Sequence, residues 1–261
     1  MLAISGPQMA RYAERIGADF HVIHVEESDF PCGEKFRVLP IVKAYERTLF
    51  IDGDVLVEED CPSLFDVIPK GFLGAHDDGK VGGEALLSWA QAETDELTDS
   101  QGVSRVKVEK AYNSGIVVCD REHAKFWEQP KKPYPRKHCM EQWWEWVTVA
   151  RYGIPHFDLP AVYNYQWWFE RRMPTRAERP DIKVRHFAGM TCMGHTAEER
   201  EALMRQHATI RPRRELPCIN LGRRVEFREG CGGRMCLHEC DKGLPAVPGG
   251  LCQWCWDHSE V

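Results

Sequence analysis

Two aspartates with the spacing of metal ligands stand near the start of the chain. Asp52 and Asp54 flank Gly53, follow the apolar run 48–51 and precede the apolar run Val55–Val57. In an extended backbone, residues i and i+2 project to the same side, so both carboxylates can bind one hard divalent cation. Ligands bind at the carboxyl ends of strands in open α/β sheets, so the position favours a ligand site.

The same stretch allows two other interpretations. An Asp-Gly pair between apolar runs is a strong signal for a two-residue hairpin turn. An apolar strand ending in Asp-x-Asp is also similar to the haloacid-dehalogenase-type phosphatases, in which the first acid is the nucleophile and the second the acid/base. That family prefers Thr or Val at the position of Leu56, and its later Gly-Asp-x-x-x-Asp metal motif has no counterpart in this sequence. We keep the phosphatase as the minor alternative.

Composition and charge limit the classes of protein to consider. Apolar residues make up 43% and charged residues 28% of the 261 residues, which are ordinary globular values. The net charge of -6 gives no basic field for nucleic acid, so a polyphosphate ligand needs a local cation or metal ion. No apolar run approaches the roughly 18 residues of a membrane span, and the N-terminus lacks a signal-peptide pattern. We therefore predict a cytoplasmic protein with no nucleic-acid partner and no membrane span.

Helical and strand patterns alternate along most of the chain. Helices are predicted over residues 7–16, 34–45, 140–152 and 197–207, and strands over residues 19–25, 48–51, 72–75, 115–119 and 183–187. Pro40 must start, kink or interrupt the second helix, and Thr196 with Glu199 forms a capping box for the last. The non-alternating run 48–51 indicates a parallel strand covered on both faces. This alternation predicts an α/β fold.

The helix over residues 140–152 carries an apolar stripe. Trp143, Trp146, Val147 and Ala150 have the i, i+3, i+4, i+7 spacing of one helix face. We predict that this face packs on the core, and that most of the tryptophans are core residues rather than platforms for a sugar.

Several motifs accompany the paired acids in a fixed order. They are Lys35, then Asp52-Gly53-Asp54, then Asn113-Ser114-Gly115 before a buried strand, then Glu141-Gln142, then His186-Phe187-Ala188-Gly189. This set, over most of residues 5–190, resembles the GT-A glycosyltransferases of the glycogenin-like family 8 group. The resemblance implies a nucleotide-diphospho-sugar transferase fold, a mixed sheet flanked by helices. It also implies a hexosyltransferase that moves a sugar from a nucleotide-sugar donor, a UDP-sugar first, to an unknown acceptor with retention.

The resemblance assigns roles to the charged residues. Asp52, Asp54 and His186 would hold Mn²⁺ or Mg²⁺ against the diphosphate of the donor. The ion would neutralise charge on the departing nucleoside diphosphate as a Lewis acid. Lys35 would approach the same diphosphate.

The resemblance also places residues around the donor sugar. These residues are Asn113, Ser114, Gly115, Glu141, Gln142 and Asn164. Asn113, Ser114 and Gly115 would form a turn beneath the sugar. Glu141 stands where the family usually has the Asp of an Asp-Gln pair, whose acid contacts the sugar near the reacting carbon, and is one methylene longer.

The sequence departs from the family pattern in two places. The family carries a Lys soon after its His-Phe-x-Gly motif, but residues 190–194 read Met-Thr-Cys-Met-Gly, so one diphosphate contact is absent or supplied elsewhere. The opening strand and loop that hold the base should precede the helix near Pro7, and only residues 1–4 stand there. We therefore expect a missing or truncated first strand. A catalytically inactive GT-A scaffold that presents its tail to a partner is the competing function.

Six of the eleven cysteines lie beyond a domain boundary predicted near residue 210. They are Cys218, Cys231, Cys236, Cys240, Cys252 and Cys255. With His238 and His258 nearby, they exceed the four ligands of tetrahedral zinc. We therefore predict a GT-A-like domain over residues 1–210 and a small Cys-rich module over residues 211–261. The module resembles a degenerate zinc ribbon with structural Zn²⁺, and free thiols or disulfides are the alternatives.

Overall fold

A computed structural model of the chain describes residues 1–23, 31–134, 139–190 and 193–208. The predicted Cys-rich module over residues 211–261, with its six candidate zinc ligands, lies outside the described residues. Among the described helices, none is long and apolar enough to cross a membrane.

Helices and short strands alternate along the described chain. The α-helices are α1 (Leu2–Ile16), α2 (Leu39–Ala44), α3 (Leu64–Val67), α4 (Gly79–Gln101), α5 (Met140–Tyr152) and α6 (Ala197–His207). The strands are β1 (Arg47–Ile51), β2 (Val55–Val57), β3 (Leu73–Asp77), β4 (Tyr112–Asp120), β5 (His156–Asp158), β6 (Tyr165–Gln166) and β7 (Val184–His186). Short 3₁₀ helices span Pro31–Val38, Arg121–Trp127, Ala161–Tyr163 and Trp167–Phe169.

The strands form two mixed sheets. The larger has the order β1-β4-β3-β5, in which β4 is antiparallel to both β1 and β3, and β5 is parallel to β3. The smaller has the order β2-β7-β6, with β7 antiparallel to β2 and parallel to β6. The chain leaves the larger sheet at the end of β1 and enters the smaller at β2. The two aspartates therefore lie where the two sheets meet.

The larger sheet is covered on both faces. Alternate residues of β4 point to opposite sides, and each set packs in its own apolar cluster. Ile116 and Val118 pack in a cluster with Tyr12 of α1 and with residues of β2. Val117 and Cys119 pack in a second cluster that includes residues of α2 and α5. All nine residues of β4 are buried. The predicted mixed α/β fold, with sheets flanked by helices, is confirmed.

Two strand predictions and one alternative were wrong in detail; residues 24–25 of the strand predicted over 19–25 lie outside the described residues. Residues 48–51 form a strand, but β1 lies at the sheet edge, is antiparallel to β4 and is only partly buried. Residues 19–23 have no regular secondary structure. A hairpin at Asp52-Gly53 is also excluded, since β1 pairs with β4 whereas β2 pairs with β7. The local apolar pattern therefore predicted a strand at residues 48–51. It did not predict which strands lie beside it, because pairing between distant segments decides that.

The predicted helices agree with the structure better than the predicted strands do. Gly17 ends α1 in the left-handed conformation, as the sequence indicates, but α1 begins at Leu2 and contains Pro7. The capping box of Thr196 and Glu199 forms at the start of α6, because each side chain accepts the backbone N–H of the other. Pro40 falls in the first turn of α2, where a missing N–H costs nothing.

The stripe predicted on α5 is only partly buried. Trp143 and Val147 are buried, whereas Ala150 is exposed. Two acidic residues of the same helix, Glu141 and Glu145, are buried instead. An apolar periodicity rule cannot anticipate an inward carboxyl group, so these two residues indicate a functional or strained region.

Candidate metal and donor site

Two acids and one imidazole converge where the two sheets meet. Asp52 and Asp54 follow β1, and His186 ends β7, which pairs with β2 so that His186 lies opposite Val55. One ligand atom of each of Asp52, Asp54 and His186 lies within 4.8 Å of the others. The His186 Nε2 atom is 3.4 Å from Asp54 Oδ1. The geometry brings together the three residues predicted to hold a divalent ion.

Gly115 forms the floor under the imidazole. Its carbonyl accepts the backbone N–H of Asp52 at 2.7 Å, which joins β4 to the acidic turn. A Cβ atom at position 115 would lie 2.1 Å from His186 Cε1 and 2.8 Å from Nε2. Glycine is therefore required here by the close approach of the ring. Residues 113–115 belong to β4, so the turn predicted for Asn113, Ser114 and Gly115 is instead an extended strand.

A chain of amide side chains fixes how the imidazole is presented. Asn113 Oδ1 accepts the backbone N–H of Gly115 at 2.9 Å, which identifies that atom as the oxygen. The same oxygen accepts Asn164 Nδ2 at 3.1 Å, so Asn164 must turn its own oxygen toward His186 Nδ1, 2.8 Å away. His186 therefore donates from Nδ1, and its Nε2 faces Asp54 either with a proton or with a lone pair for a cation.

The amide chain continues to a buried carboxyl group. Asn113 Nδ2 donates to Gln166 Oε1 at 3.3 Å and to Asp78 Oδ2 at 3.5 Å, and Gln166 Nε2 donates to Asp78 Oδ1 at 2.5 Å. Burial raises the pKa of Asp78 well above its ordinary value, although these amide donors lower it in part. The far end of the chain is held by Trp168, whose indole N–H donates to Gln166 at 2.7 Å.

We expect Asn164 to control ion affinity without touching the ion. Replacing Asn164 by alanine removes the acceptor for His186 Nδ1, so the ring loses its fixed orientation, and Mn²⁺ affinity should fall about 10- to 100-fold. Titration of Mn²⁺ followed by the electron paramagnetic resonance signal of the free ion measures this. Trp168→Phe, which removes one donor at the far end of the chain, is the control and should change the affinity little. Equal affinities for Asn164→Ala and wild type would contradict the assignment.

Lys35 connects the acidic turn to the predicted sugar-pocket residues. Its Nζ atom lies 3.0 Å from Asp52 Oδ2, 3.5 Å from Glu141 Oε1 and 3.1 Å from Ser114 Oγ. Burial alone would lower the pKa of Lys35, but the carboxylates of Asp52 and Glu141 outweigh it and raise the pKa well above its ordinary value. Lys35 is therefore a fixed positive charge beside the candidate ion ligands.

The start of α5 completes this cluster. Gln142 Oε1 accepts the backbone N–H of Ser114 at 3.3 Å, and Glu141 lies against Lys35. One oxygen of Glu141, Oε2, is buried and has no hydrogen-bond partner in the described part of the chain. Direct contacts thus join the predicted residues of β4, of α5 and of the 3₁₀ helix that carries Lys35.

Glu145, one turn after Glu141, is a buried carboxyl group that the sequence reasoning missed. Both of its oxygens are buried, with the Ser114 side chain as a weak hydrogen-bond donor. Burial raises its pKa well above the ordinary value of 4.5, although Lys35 lowers it in part. The unfolded chain releases this proton near pH 4.5 and the folded protein keeps it. The contribution of Glu145 to stability therefore falls as the pH rises above about 4.5.

We expect Glu145→Gln to stabilise the protein at neutral pH. The substitution should raise the free energy of unfolding by about 1–2 kcal/mol at pH 7.5, because a neutral amide avoids the cost of keeping or ionising a buried carboxyl group. At pH 4 the difference should nearly vanish. Urea denaturation at both pH values measures the effect, with Glu84→Gln on the exposed part of α4 as the control. A difference that is the same at both pH values would contradict the explanation.

Arg200, on α6, contacts Asp54 of the acidic turn, whereas Lys35 contacts Asp52. Its Nη1 atom lies 3.2 Å from Asp54 Oδ2. Burial alone would raise the pKa of Asp54, but His186 and Arg200 outweigh it and lower the pKa to about 2. Asp54 therefore stays ionised and available to a cation at physiological pH.

A large cleft opens beside the acids. Its volume is about 1360 Å³, and its lining includes Lys35, Asp52, Asp54 and Arg200. Apolar side chains of α1 and β1 form further walls: Met9, Tyr12, Ile16, Leu49 and Ile51. Charged groups at an apolar cleft are typical of a site for an organic ligand that carries an anionic group.

The donor atoms suit a divalent ion with oxygen preference. Two carboxylates match Mg²⁺ and Mn²⁺, while an imidazole ligand favours a transition metal over Mg²⁺. Mn²⁺ meets both preferences. The unprotonated form of Nε2, which the hydrogen bond of Nδ1 permits, completes a set of three protein ligands and leaves the remaining positions to a substrate.

Sequence reasoning found part of this site and missed the rest. The paired acids, His186 and Lys35 were identified from their order in the chain. Asp78, Glu145 and Arg200 were missed, since each is an ordinary charged residue in its local sequence.

The known proteins that this chain resembles are solved structures. No family model and no curated protein matches the sequence. A glycosyltransferase involved in glycosylation of the major capsid of PBCV-1 shares 14% identity over 78% of this chain and 93% of its own, with a TM-score of 0.46. The galactosyltransferase LgtC, solved with donor and acceptor sugar analogues, shares 16% identity over 76% of this chain and 74% of its own, with a TM-score of 0.38.

A longer protein is also similar to this chain. The bifunctional glycosyltransferase WbbM shares 16% identity with a TM-score of 0.41. The similarity covers 72% of this chain but only 39% of WbbM.

Proposed function

We propose that the protein is a metal-dependent glycosyltransferase of GT-A type that uses a nucleotide-sugar donor. One observation carries the proposal. Asp52, Asp54 and His186, from separate segments of the chain, share one candidate ion position, and Lys35 contacts Asp52 beside a large cleft. The resemblance in the sequence assigns these four residues to one donor site.

Asp52, Asp54 and His186 would hold Mn²⁺ or Mg²⁺. A bound divalent ion neutralises charge on a departing nucleoside diphosphate, and so acts as a Lewis acid. Lys35 adds a fixed positive charge close to the same place. Because the protein has a net charge of -6, a polyphosphate needs such a local cation. These two sources of positive charge support a diphosphate ligand.

Polar groups beside the ion position suit the hydroxyl groups of a sugar. Glu141 has a buried oxygen, Oε2, without a hydrogen-bond partner among the described residues, and the backbone N–H of Ser114 donates to Gln142. Glu141 is the candidate for the acid that contacts the sugar near the reacting carbon. Transfer of a hexosyl group with retention, a UDP-sugar as donor and structural Zn²⁺ in the segment 211–261 are finer parts of the proposal that follow from the sequence resemblance.

Release of nucleoside diphosphate tests this proposal without knowledge of the acceptor. Many transferases hydrolyse their donor slowly when water replaces the acceptor, so the full chain is incubated with a panel of UDP- and GDP-sugars with and without Mn²⁺. We expect release of the diphosphate from at least one donor, dependent on Mn²⁺ and lost in Asp52→Asn. Asp60→Asn, on the surface after β2, is the control.

The competing function gives a different result. A catalytically inactive GT-A scaffold would release no nucleoside diphosphate from any donor, with or without Mn²⁺. A protein that binds no nucleoside diphosphate even with Mn²⁺ would contradict the transferase and favour the scaffold.

A further inference from the structure

An arginine of α6 contacts the acidic turn. The first turn of α6 is fixed by the capping box of Thr196 and Glu199, and Arg200 follows directly. Arg200 Nη1 lies 3.2 Å from Asp54 Oδ2. The contact joins residues 146 positions apart, and Arg200 lines the same cleft as Asp52 and Lys35.

The guanidinium of Arg200 is only partly paired within the described part of the chain. The side chain is 16% exposed, and its Nε atom is buried with no hydrogen-bond partner among the described residues. A guanidinium group presents five donors in a planar fork that matches carboxylate and phosphate oxygens in pairs. Because Arg200 also lines the cleft, its guanidinium is a candidate partner for the oxyanion of a ligand.

Arg200 and the candidate ion share one ligand. Asp54 Oδ2 faces Arg200, while Asp54 Oδ1 faces His186. A divalent ion that draws on the negative charge of Asp54 weakens its pair with Arg200, because the carboxylate then serves two cations. The freed guanidinium would lie beside the ion, where the oxygens of a diphosphate bound to that ion would also lie.

We propose that Arg200 exchanges partners: it pairs with Asp54 in the protein without an ion and binds the diphosphate of the ligand once an ion is held. The inference rests on the proposed function, because it takes the ligand to be a nucleoside diphosphate. It assigns to α6 a direct part in substrate binding. It also predicts that Arg200 weakens binding of the ion and strengthens binding of the diphosphate.

Two binding measurements on Arg200→Gln test the exchange. Mn²⁺ alone is titrated by the resonance signal of the free ion, and uridine and guanosine diphosphate are titrated by calorimetry with saturating Mn²⁺. Removing the competing cation should tighten Mn²⁺ binding about 3- to 10-fold. Removing the phosphate contact should weaken binding of the diphosphates about 10-fold or more.

Arg205→Gln is the matched control. Arg205 lies on the same helix, is exposed and lies 4.0 Å from Glu201. This variant should leave both affinities as in the wild type. Arg200→Lys keeps one positive charge but loses the planar fork. It should leave Mn²⁺ affinity near the wild-type value and weaken diphosphate binding, and it provides the comparison if Arg200→Gln does not fold.

The outcomes separate this inference from the proposed function. Wild type that binds Mn²⁺ and a diphosphate, with Arg200→Gln indistinguishable from Arg205→Gln, overturns the exchange alone. Loss of Mn²⁺ binding in Arg200→Gln also overturns it, since Arg200 would then only support Asp54. Wild type that binds Mn²⁺ but neither diphosphate overturns the proposed function together with the inference.

Discussion

Replacing Gly115 by alanine should both destabilise the protein and displace His186. The new Cβ atom would lie 2.1 Å from His186 Cε1, and the ring is held from its other side by Asn164. Neither β4, which is paired on both edges, nor the ring can move freely. We expect a loss of about 2–3 kcal/mol in the free energy of unfolding, as for overpacking in a core. Mn²⁺ affinity should fall at least about 10-fold, because a ligand moves.

Gly53 provides the matched control for this substitution. A Cβ atom at Gly53 meets nothing within 4 Å, so Gly53→Ala should change stability by no more than about 0.5 kcal/mol. Urea denaturation of both variants gives the comparison, and a Mn²⁺ titration shows whether His186 has moved. If Gly115→Ala were as stable as Gly53→Ala and bound Mn²⁺ like the wild type, His186 would not lie over Gly115.

Replacing Asp54 by asparagine should remove ion binding. Asp54 supplies one of the two carboxylates of the candidate site and contacts both His186 and Arg200. Loss of a charged ligand should weaken Mn²⁺ binding by roughly two orders of magnitude, more than loss of a group that only orients a ligand. Asp60→Asn, whose carboxylate pairs with Lys183 outside the site, should bind Mn²⁺ like the wild type.

The same substitution should change the response to acid. The pKa of Asp54 is about 2 in the folded protein, against an ordinary 3.8. Its ionised form therefore stabilises the fold above pH 3.8, and this contribution of about 2 kcal/mol is lost as the pH falls toward 2. Asp54→Asn should lack this part of the acid-dependent loss in stability. A variant with the same loss between pH 5 and pH 2 as the wild type would contradict the assigned pKa.

The sequence was informative where local pattern and chemistry coincide. Gly17, Thr196 and Glu199 fix helix ends through backbone conformation and caps, which depend on neighbours in sequence, and these predictions were confirmed. The order of Asp52, Asp54 and His186 pointed to residues that the fold brings together. Such residues are recognisable because the ordered set of motifs, rather than the paired acids alone, is specific.

The rest of the site depends on contacts between distant parts of the chain. The amide chain from Asp78 to His186 involves residues of common type, and only their pairing gives them a role. Arg200 lies on a helix whose bounds were predicted correctly, yet nothing in that helix indicates a contact with Asp54. Strand pairing and inward polar groups are decided by the tertiary fold, which local periodicity does not encode.

The central claim is that one divalent ion is held by His186 and by a diphosphate at the same time. Electron spin-echo modulation of Mn²⁺ bound to the full chain with uridine or guanosine diphosphate detects nitrogen and phosphorus nuclei next to the ion. We expect both a nitrogen-14 and a phosphorus-31 coupling in the wild type, with the nitrogen coupling lost in His186→Ala and the phosphorus coupling kept. A spectrum of the wild type without the nitrogen coupling, or without the phosphorus coupling, would contradict this account of the site.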